Sequence, residues 1–245
     1  MNSKEEMDSL QHISGTTLYS AGVMQTAFSY CFRILTRHLR GTHLLEMGPA
    51  EGAMTELLIS TGKAITTVDG SALYCDSLRQ RFPQVRVVHA LFEEFEPVEH
   101  FDNIILGHVL EHVQDPVGIL TRARGWLKPD GCIFGAVPNA RSLHRQAAVI
   151  MGLLSREDAL NELDLHHGHR RVFNPESFRS VFIQAGLHVD VFGGYYLKPI
   201  SNDQIKSQWT PAMIDAFMQM GERYPDIAGE IYLLASEPPD TVVLI

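Results

Sequence analysis

The chain has 245 residues, with 45% hydrophobic and 20% charged side chains, enough for one large domain with a real core and not the composition of a disordered chain. Acidic residues outnumber basic ones, 29 to 20, for a formal net charge of −9 with histidine neutral, which opposes the basic surface that tight DNA or RNA binding needs. Three cysteines, Cys31, Cys75 and Cys132, stand far apart with no CxxC pair, excluding a disulfide framework and a thiolate zinc site.

The start MNSKEEMDSLQ is too polar for a signal peptide and no apolar run of about 20 residues is present, so a cytoplasmic protein without a membrane span is expected. From Met24 to Arg40, Phe28, Cys31, Phe32, Leu35 and Leu39 recur at three- and four-residue spacing, the stripe of an amphipathic helix that Gly41 ends. His43 to Met47 is a short apolar run, followed by Gly48-Pro49-Ala50-Glu51-Gly52 and a helical stretch from Met54 to Ser60. Strand, glycine turn and helix open an α/β unit. Ala64 to Val68 reads as a second strand, closed by Asp69-Gly70-Ser71, with Ser71 as N-cap of a helix from Leu73 to Phe82. Val85 to His89 and Phe101 to Leu106 are the third and fourth strands. Asp115-Pro116 starts a helix, and the turn Lys128-Pro129-Asp130-Gly131 precedes a fifth strand, Cys132 to Val137.

Beyond Pro138-Asn139 the alternation loosens. Ser142 to Leu154 reads as helix, Asp164 to Arg171 as a polar loop, and Asn174-Pro175-Glu176 as the start of a helix that Gly186 caps. Leu187 to Phe192 and Gly229 to Ala235 are two further strands, with a helical insert around Pro211 to Gly221 between them. No internal repeat is visible.

The glycine loop admits two ligands. A dinucleotide site wants G-x-G-x-x-G so that backbone amides at the helix start receive a pyrophosphate; Gly48, Ala50 and Ala53 fill those places with one glycine in three. The other template, E/D-x-G-x-G-x-G, wraps the methionine end of S-adenosylmethionine and reads here as Glu46-Met47-Gly48-Pro49-Ala50-Glu51-Gly52. An acid ahead of the loop suits an ammonium and repels phosphate. Asp69, at the end of the second strand and beside Gly70, can accept both hydroxyls of a ribose, in either ligand.

Five ordered blocks, LLEMGPAEG, TTVDGS, VVHALFEEF, FDNIILGHVLEHVQDP and LKPDGCIFGAVPN, span Leu44 to Asn139. Together they resemble the class I S-adenosylmethionine-dependent methyltransferases, and VLEHVQDP followed by LKPDG is similar to the ubiquinone-type small-molecule members. The resemblance implies a doubly wound, seven-stranded, mostly parallel sheet with helices on both faces, a final antiparallel strand and a helical cap. It implies Glu46, Gly48 and Gly52 along the methionine moiety, and Asp69 with Gly70 at the ribose. Leu91 and Phe92 would lie on the adenine, where the family often has an aspartate; Gly107 and His108 would face the sulfonium, and Tyr19 would come from a lid. One domain over 1–245 is expected, divided into a cap (1–40), a cofactor-binding core (41–139) and a substrate side with insertions (140–245).

Methyl transfer needs a desolvated, aimed nucleophile, and a hydroxyl acceptor also needs a base. The 12 histidines supply candidates. His108, His167 and His169 are the catalytic candidates, the last two as general base or substrate anchor. His112 reads as a structural partner within its motif. His144, Arg170, Arg171, Tyr195, Tyr196 and Lys198 are expected to bind the acceptor, with the two arginines holding an anionic or carbonyl group. No metal site is assigned, because the His-x-His pair lacks a third ligand nearby in sequence. The leading expectation is an enzyme that methylates a small molecule at oxygen or nitrogen, in secondary-metabolite or sugar biosynthesis, as a monomer or homodimer with no nucleic-acid partner. The alternatives are an NAD(P)-dependent oxidoreductase and a non-catalytic ligand-binding protein of the same fold.

Overall fold

A computed structural model describes residues 22–239; Tyr19 lies outside the described residues. Helix α1 (Val23–Thr36) leads into β1 (His43–Met47), α2 (Ala53–Ile59), β2 (Ala64–Asp69), α3 (Ala72–Arg81) and β3 (Arg86–His89). Then come β4 (Phe101–Gly107), α4 (Pro116–Arg124) and β5 (Leu127–Pro138), followed by α5 (Leu143–Ile150), α6 (Glu162–His166) and α7 (Pro175–Gln184). The chain closes with β6 (His188–Tyr195), α8 (Asn202–Gln208), α9 (Pro211–Arg223) and β7 (Glu230–Ser236).

The seven strands form one sheet in the order β3-β2-β1-β4-β5-β7-β6. β1 pairs in parallel with both β2 and β4, and β7 runs antiparallel to both β5 and β6, so only β7 is reversed. After β1 the chain winds outward through β2 and β3, then returns to the other side of β1 as β4. The reversal leaves a crevice at the carboxyl ends of β1 and β4, where open α/β sheets receive ligands.

Neighbouring apolar residues along a strand serve opposite faces. Leu45, Ile104, Ile133 and Leu233 pack with α4 and α7 through Leu120, Phe178 and Phe182. Leu44, Ile105, Phe134 and Leu234 pack on the other face against Ile34, Leu58, Leu78 and Met218 of α1, α2, α3 and α9.

Several boundaries differ from the sequence reading for identifiable reasons. The first helix stops at Thr36 rather than Arg40, because the carboxylate of Asp102 takes the amides of Thr42 and His43 at 2.9 and 2.8 Å and fixes the approach to β1. The Lys128–Gly131 turn is a bulge inside β5, between the pairs Phe101↔Leu127 and Asn103↔Cys132, with Asp130 at φ 63°. Part of the expected 164–171 loop is helical: Asn161 and Asp164 form a reciprocal capping box that starts α6. Among the described residues no helix is long and apolar enough to cross a membrane.

Candidate active site

A cavity of about 350 Å³ opens at the crevice beyond β1 and β4. Glu46 and Met47 end β1 on its floor, and Gly48 turns away at φ 69°. A Cβ on Gly48 would stand 2.9 Å from a methyl of Val109, so only glycine fits both the backbone and the space. Gly48, Ala50, Asp69, Gly70, Leu91 and Phe92 line one end of the cavity, and Gly107, His108, His144, His167, His169 and Lys198 line the other.

Two buried acids mark the first end. Glu46, 3% exposed, accepts a hydrogen bond from the Thr55 hydroxyl at 2.6 Å, and among the described residues no cation pairs with it. Burial pushes its carboxyl up to about 7, with nearby Asp69 adding to the rise. Asp69 accepts the Ser71 amide at 2.8 Å and the Ala50 amide at 3.3 Å, yet burial still pushes it up to about 6.

The second end is built around His108, which follows β4 in the left-handed region at φ 58°. Its Nδ1 lies 3.4 Å from Glu111 Oε1 and its Nε2 lies 3.8 Å from Glu230 Oε2, with the Phe28 ring edge-on at 5.7 Å. Burial alone would lower the imidazole, but Glu111 and Glu230 outweigh it and push His108 up to about 9. Near neutral pH His108 is therefore a cation and has no lone pair with which to take a proton. Burial pushes His144 down to about 3, aided by Lys198 and Arg145, and His112 down to about 4, so both rings are neutral. His169 Nδ1 lies 3.3 Å from Asp164, which also accepts from Arg145 at 3.1 Å, and its ring stands edge-on to His112 at 4.8 Å. Glu111, His112 and His169 offer three ligand atoms within 4.8 Å of one another, a group that includes only His169 of the His-x-His pair.

Five of the expected site residues are placed outside the cavity. Gly52 does not face the cavity; it caps α2 at φ 80° and makes room for Leu78 and Phe82, which an added Cβ would meet at 2.5 and 3.0 Å. Arg170 and Arg171 do not line the cavity either. Arg170 donates to the His112 carbonyl at 2.7 Å, while Arg171 donates to the carbonyls of Leu110, Val113 and Gln114 at 3.1, 2.6 and 3.0 Å. Their guanidinium groups brace the loop after β4. Tyr195 and Tyr196 are core: Tyr195 stacks on Tyr30 of α1 at 6.1 Å, and the Tyr196 hydroxyl donates to Asn202.

Sequence reasoning missed Glu111 and Glu230, which both line the cavity. Glu111 sits inside the quoted VLEHVQDP block. Glu230 carried a readable signal, as the one acid heading the apolar run Ile231 to Ala235.

A parallel sheet with a reversed seventh strand, and an acid-flanked glycine loop at its switch point, defines a class I S-adenosylmethionine-dependent methyltransferase. Residues 24–190 match the family described as a methyltransferase domain, and the chain belongs to that family. Ubiquinone biosynthesis O-methyltransferase of Paramagnetospirillum magneticum is 28% identical over 173 residues, covering 69% of this chain and 68% of that protein. The protein of the same name from Actinobacillus pleuropneumoniae serotype 7 is 26% identical over 174 residues, covering 66% and 73%. Two solved structures share the fold. The glycopeptide N-methyltransferase MtfA complexed with S-adenosylmethionine superposes with a TM-score of 0.59 at 12% identity, covering 90% of this chain and 88% of that one. An S-adenosylmethionine-dependent methyltransferase from Mesorhizobium loti gives 0.63 at 14%, covering 87% and 99%. Family membership displaces both the nicotinamide and the non-catalytic alternatives.

Proposed function

We propose that the protein transfers the methyl group of S-adenosylmethionine to the oxygen or nitrogen of a small-molecule acceptor in a biosynthetic pathway, of the secondary-metabolite or sugar kind. The observation that carries this reading is the two-ended cavity, with buried acids at one end and a cluster of imidazoles and carboxylates at the other. The first end fits the cofactor on its own chemistry. Among the described residues Glu46 is a buried acid without a cation, which an ammonium would neutralise, and each oxygen of Asp69 keeps accepting capacity for a ribose hydroxyl. The space kept open by Gly48 admits the methionine portion, and Leu91 and Phe92 offer apolar contact to an adenine. Gly107, whose added Cβ would meet nothing within 4 Å, leaves room beside His108.

The cofactor supplies a methyl group on a sulfonium, and the chain's own residues orient an acceptor in line with it while excluding water. His144, His167, His169 and Lys198 stand on the acceptor side, with His167 and His169 as anchors. A cavity of this volume is of small-ligand size, and the net charge of −9 offers no field for a nucleic-acid substrate. The test is calorimetric titration with S-adenosylhomocysteine and NADH, followed by methyl-labelled cofactor with a panel of hydroxyl and amine acceptors. S-adenosylhomocysteine binding with label transfer to a small molecule is expected. A protein that binds NADH and not S-adenosylhomocysteine would end this reading.

A further inference from the structure

Glu230 is an expensive residue for its place. It heads β7, whose next five residues are buried and apolar or aromatic, and it is itself 6% exposed. Among the described residues its Oε2 has no hydrogen-bond partner, as is also true of both oxygens of Glu111, and its nearest cationic neighbour is His108 Nε2 at 3.8 Å. A buried acceptor left without a donor costs on the order of 1–3 kcal/mol, and more when charged. The antiparallel register sets Glu230 opposite Pro138 of β5 and Tyr195 of β6, which brings it to the same end of the sheet as Gly107 and His108. The orphaned oxygen therefore belongs to a group lining the cavity at its acceptor end.

We propose that Glu230 is the proton acceptor of methyl transfer, that the group methylated is a hydroxyl, and that His108, held between Glu111 and Glu230, is a positioning residue. This deepens the methyltransferase reading and rests on it. The other groups at that end are poor candidates. Both ring nitrogens of His108 face carboxylates, Nδ1 toward Glu111 at 3.4 Å and Nε2 toward Glu230 at 3.8 Å, and burial makes His144 a weak base. Asp164 is occupied by Arg145, the Asn161 amide and His169. Glu111 stands closer to the His108 ring, 3.4 Å from Nδ1 against 3.8 Å from Nε2 for Glu230, and is the carboxylate more committed to holding that ring. Burial raises Glu230 against the opposing pull of His108, Lys198 and His169, and Glu111 adds to the rise. The fields of Cys31, Tyr195 and Tyr196 also meet Glu230, but all three have their own ionisation pushed upward and stay neutral.

The step balances. A lone pair of the acceptor oxygen forms the new O–C bond while the S–C bond breaks, leaving its electron pair on sulfur and cancelling the sulfonium charge. The O–H bond breaks and its proton passes to Glu230 Oε2, which becomes a neutral acid and later releases the proton to solvent. A neutral amine attacks without such help, whereas a hydroxyl does not, and this links a buried base to oxygen.

The test compares wild type with Glu230→Gln on catechol, methyl glucoside, 4-nitrocatechol and benzylamine, with methyl-labelled cofactor across the pH range and S-adenosylhomocysteine titration alongside. Wild type should methylate a hydroxyl probe. Glu230→Gln should bind S-adenosylhomocysteine as wild type does, yet lose about 10²–10⁴ in kcat on catechol, the range for loss of a general base. Its residual rate should rise with pH as catechol ionises. With 4-nitrocatechol, already ionised near neutral pH, most of the loss should vanish. Equal loss on both catechols, full retention on catechol, or wild-type turnover of benzylamine alone or of no probe would each overturn the proposal. Failure to bind S-adenosylhomocysteine would instead overturn the methyltransferase reading beneath it.

Discussion

Replacing Asp69 by alanine tests the cofactor end of the cavity most directly. Its carboxylate already holds the Ser71 and Ala50 amides, one on each oxygen, so each oxygen has one accepting direction left for a ribose hydroxyl. A hydrogen bond to a charged group contributes ~1.5–3 kcal/mol, so two lost bonds amount to about 3–6 kcal/mol if additive. The low end applies, because alanine also frees two amides to meet water or the ligand. About 3 kcal/mol corresponds to a loss of roughly 100-fold in S-adenosylhomocysteine affinity. Asp69→Asn keeps the shape without the charge and should fall between alanine and wild type. Calorimetry above pH 7, with circular dichroism to show that the fold survives, makes the measurement. A folded alanine variant that binds as tightly as wild type would refute the ribose assignment.

The pH dependence of binding has a definite sign. Glu46 and Asp69 are pushed up to about 7 and about 6 in the free protein, and an ammonium and hydroxyl donors favour their ionised forms, so S-adenosylhomocysteine affinity should be full only well above pH 7 and fall as pH drops through about 7 and about 6. The same raised values make the free protein lose stability as pH rises from about 4 to about 7, which thermal melts without ligand would register. Arg171→Ala removes three carbonyl contacts that brace the loop after β4. The loss of about 2–3 kcal/mol should lower the melting temperature by roughly 4–10 °C, and an unchanged melt would show the brace to be dispensable. His167→Ala and His169→Ala should leave S-adenosylhomocysteine affinity unchanged and raise KM for the acceptor; an unaltered KM in both would remove them as anchors.

The α/β alternation, the glycine loop with Glu46 and Gly48, and the acid ending β2 were legible in the chain. Each rests on local rules that act within a few residues: period-two or helical burial, a turn that only glycine adopts, an acid next to a strand end. The seven-stranded sheet followed from the ordered blocks that resemble a known family. The acceptor end was not legible in this way. Glu230 meets His108 only because β7 inserts between β5 and β6 in reverse, bringing a residue 122 positions after His108 to the same end of the sheet. Arg170 and Arg171 read as anion binders in sequence, since a basic cluster carries no record of what its donors meet; tertiary structure spent them on the carbonyls of Leu110 to Gln114. Tyr195 and Tyr196, polar-tipped and beside a glycine pair, were equally open until α1 and α9 closed over them. Local pattern determines where a strand or turn stands, but pairing between distant segments decides which side chains share one cavity, because burial and unmet hydrogen bonds are properties of the assembled sheet.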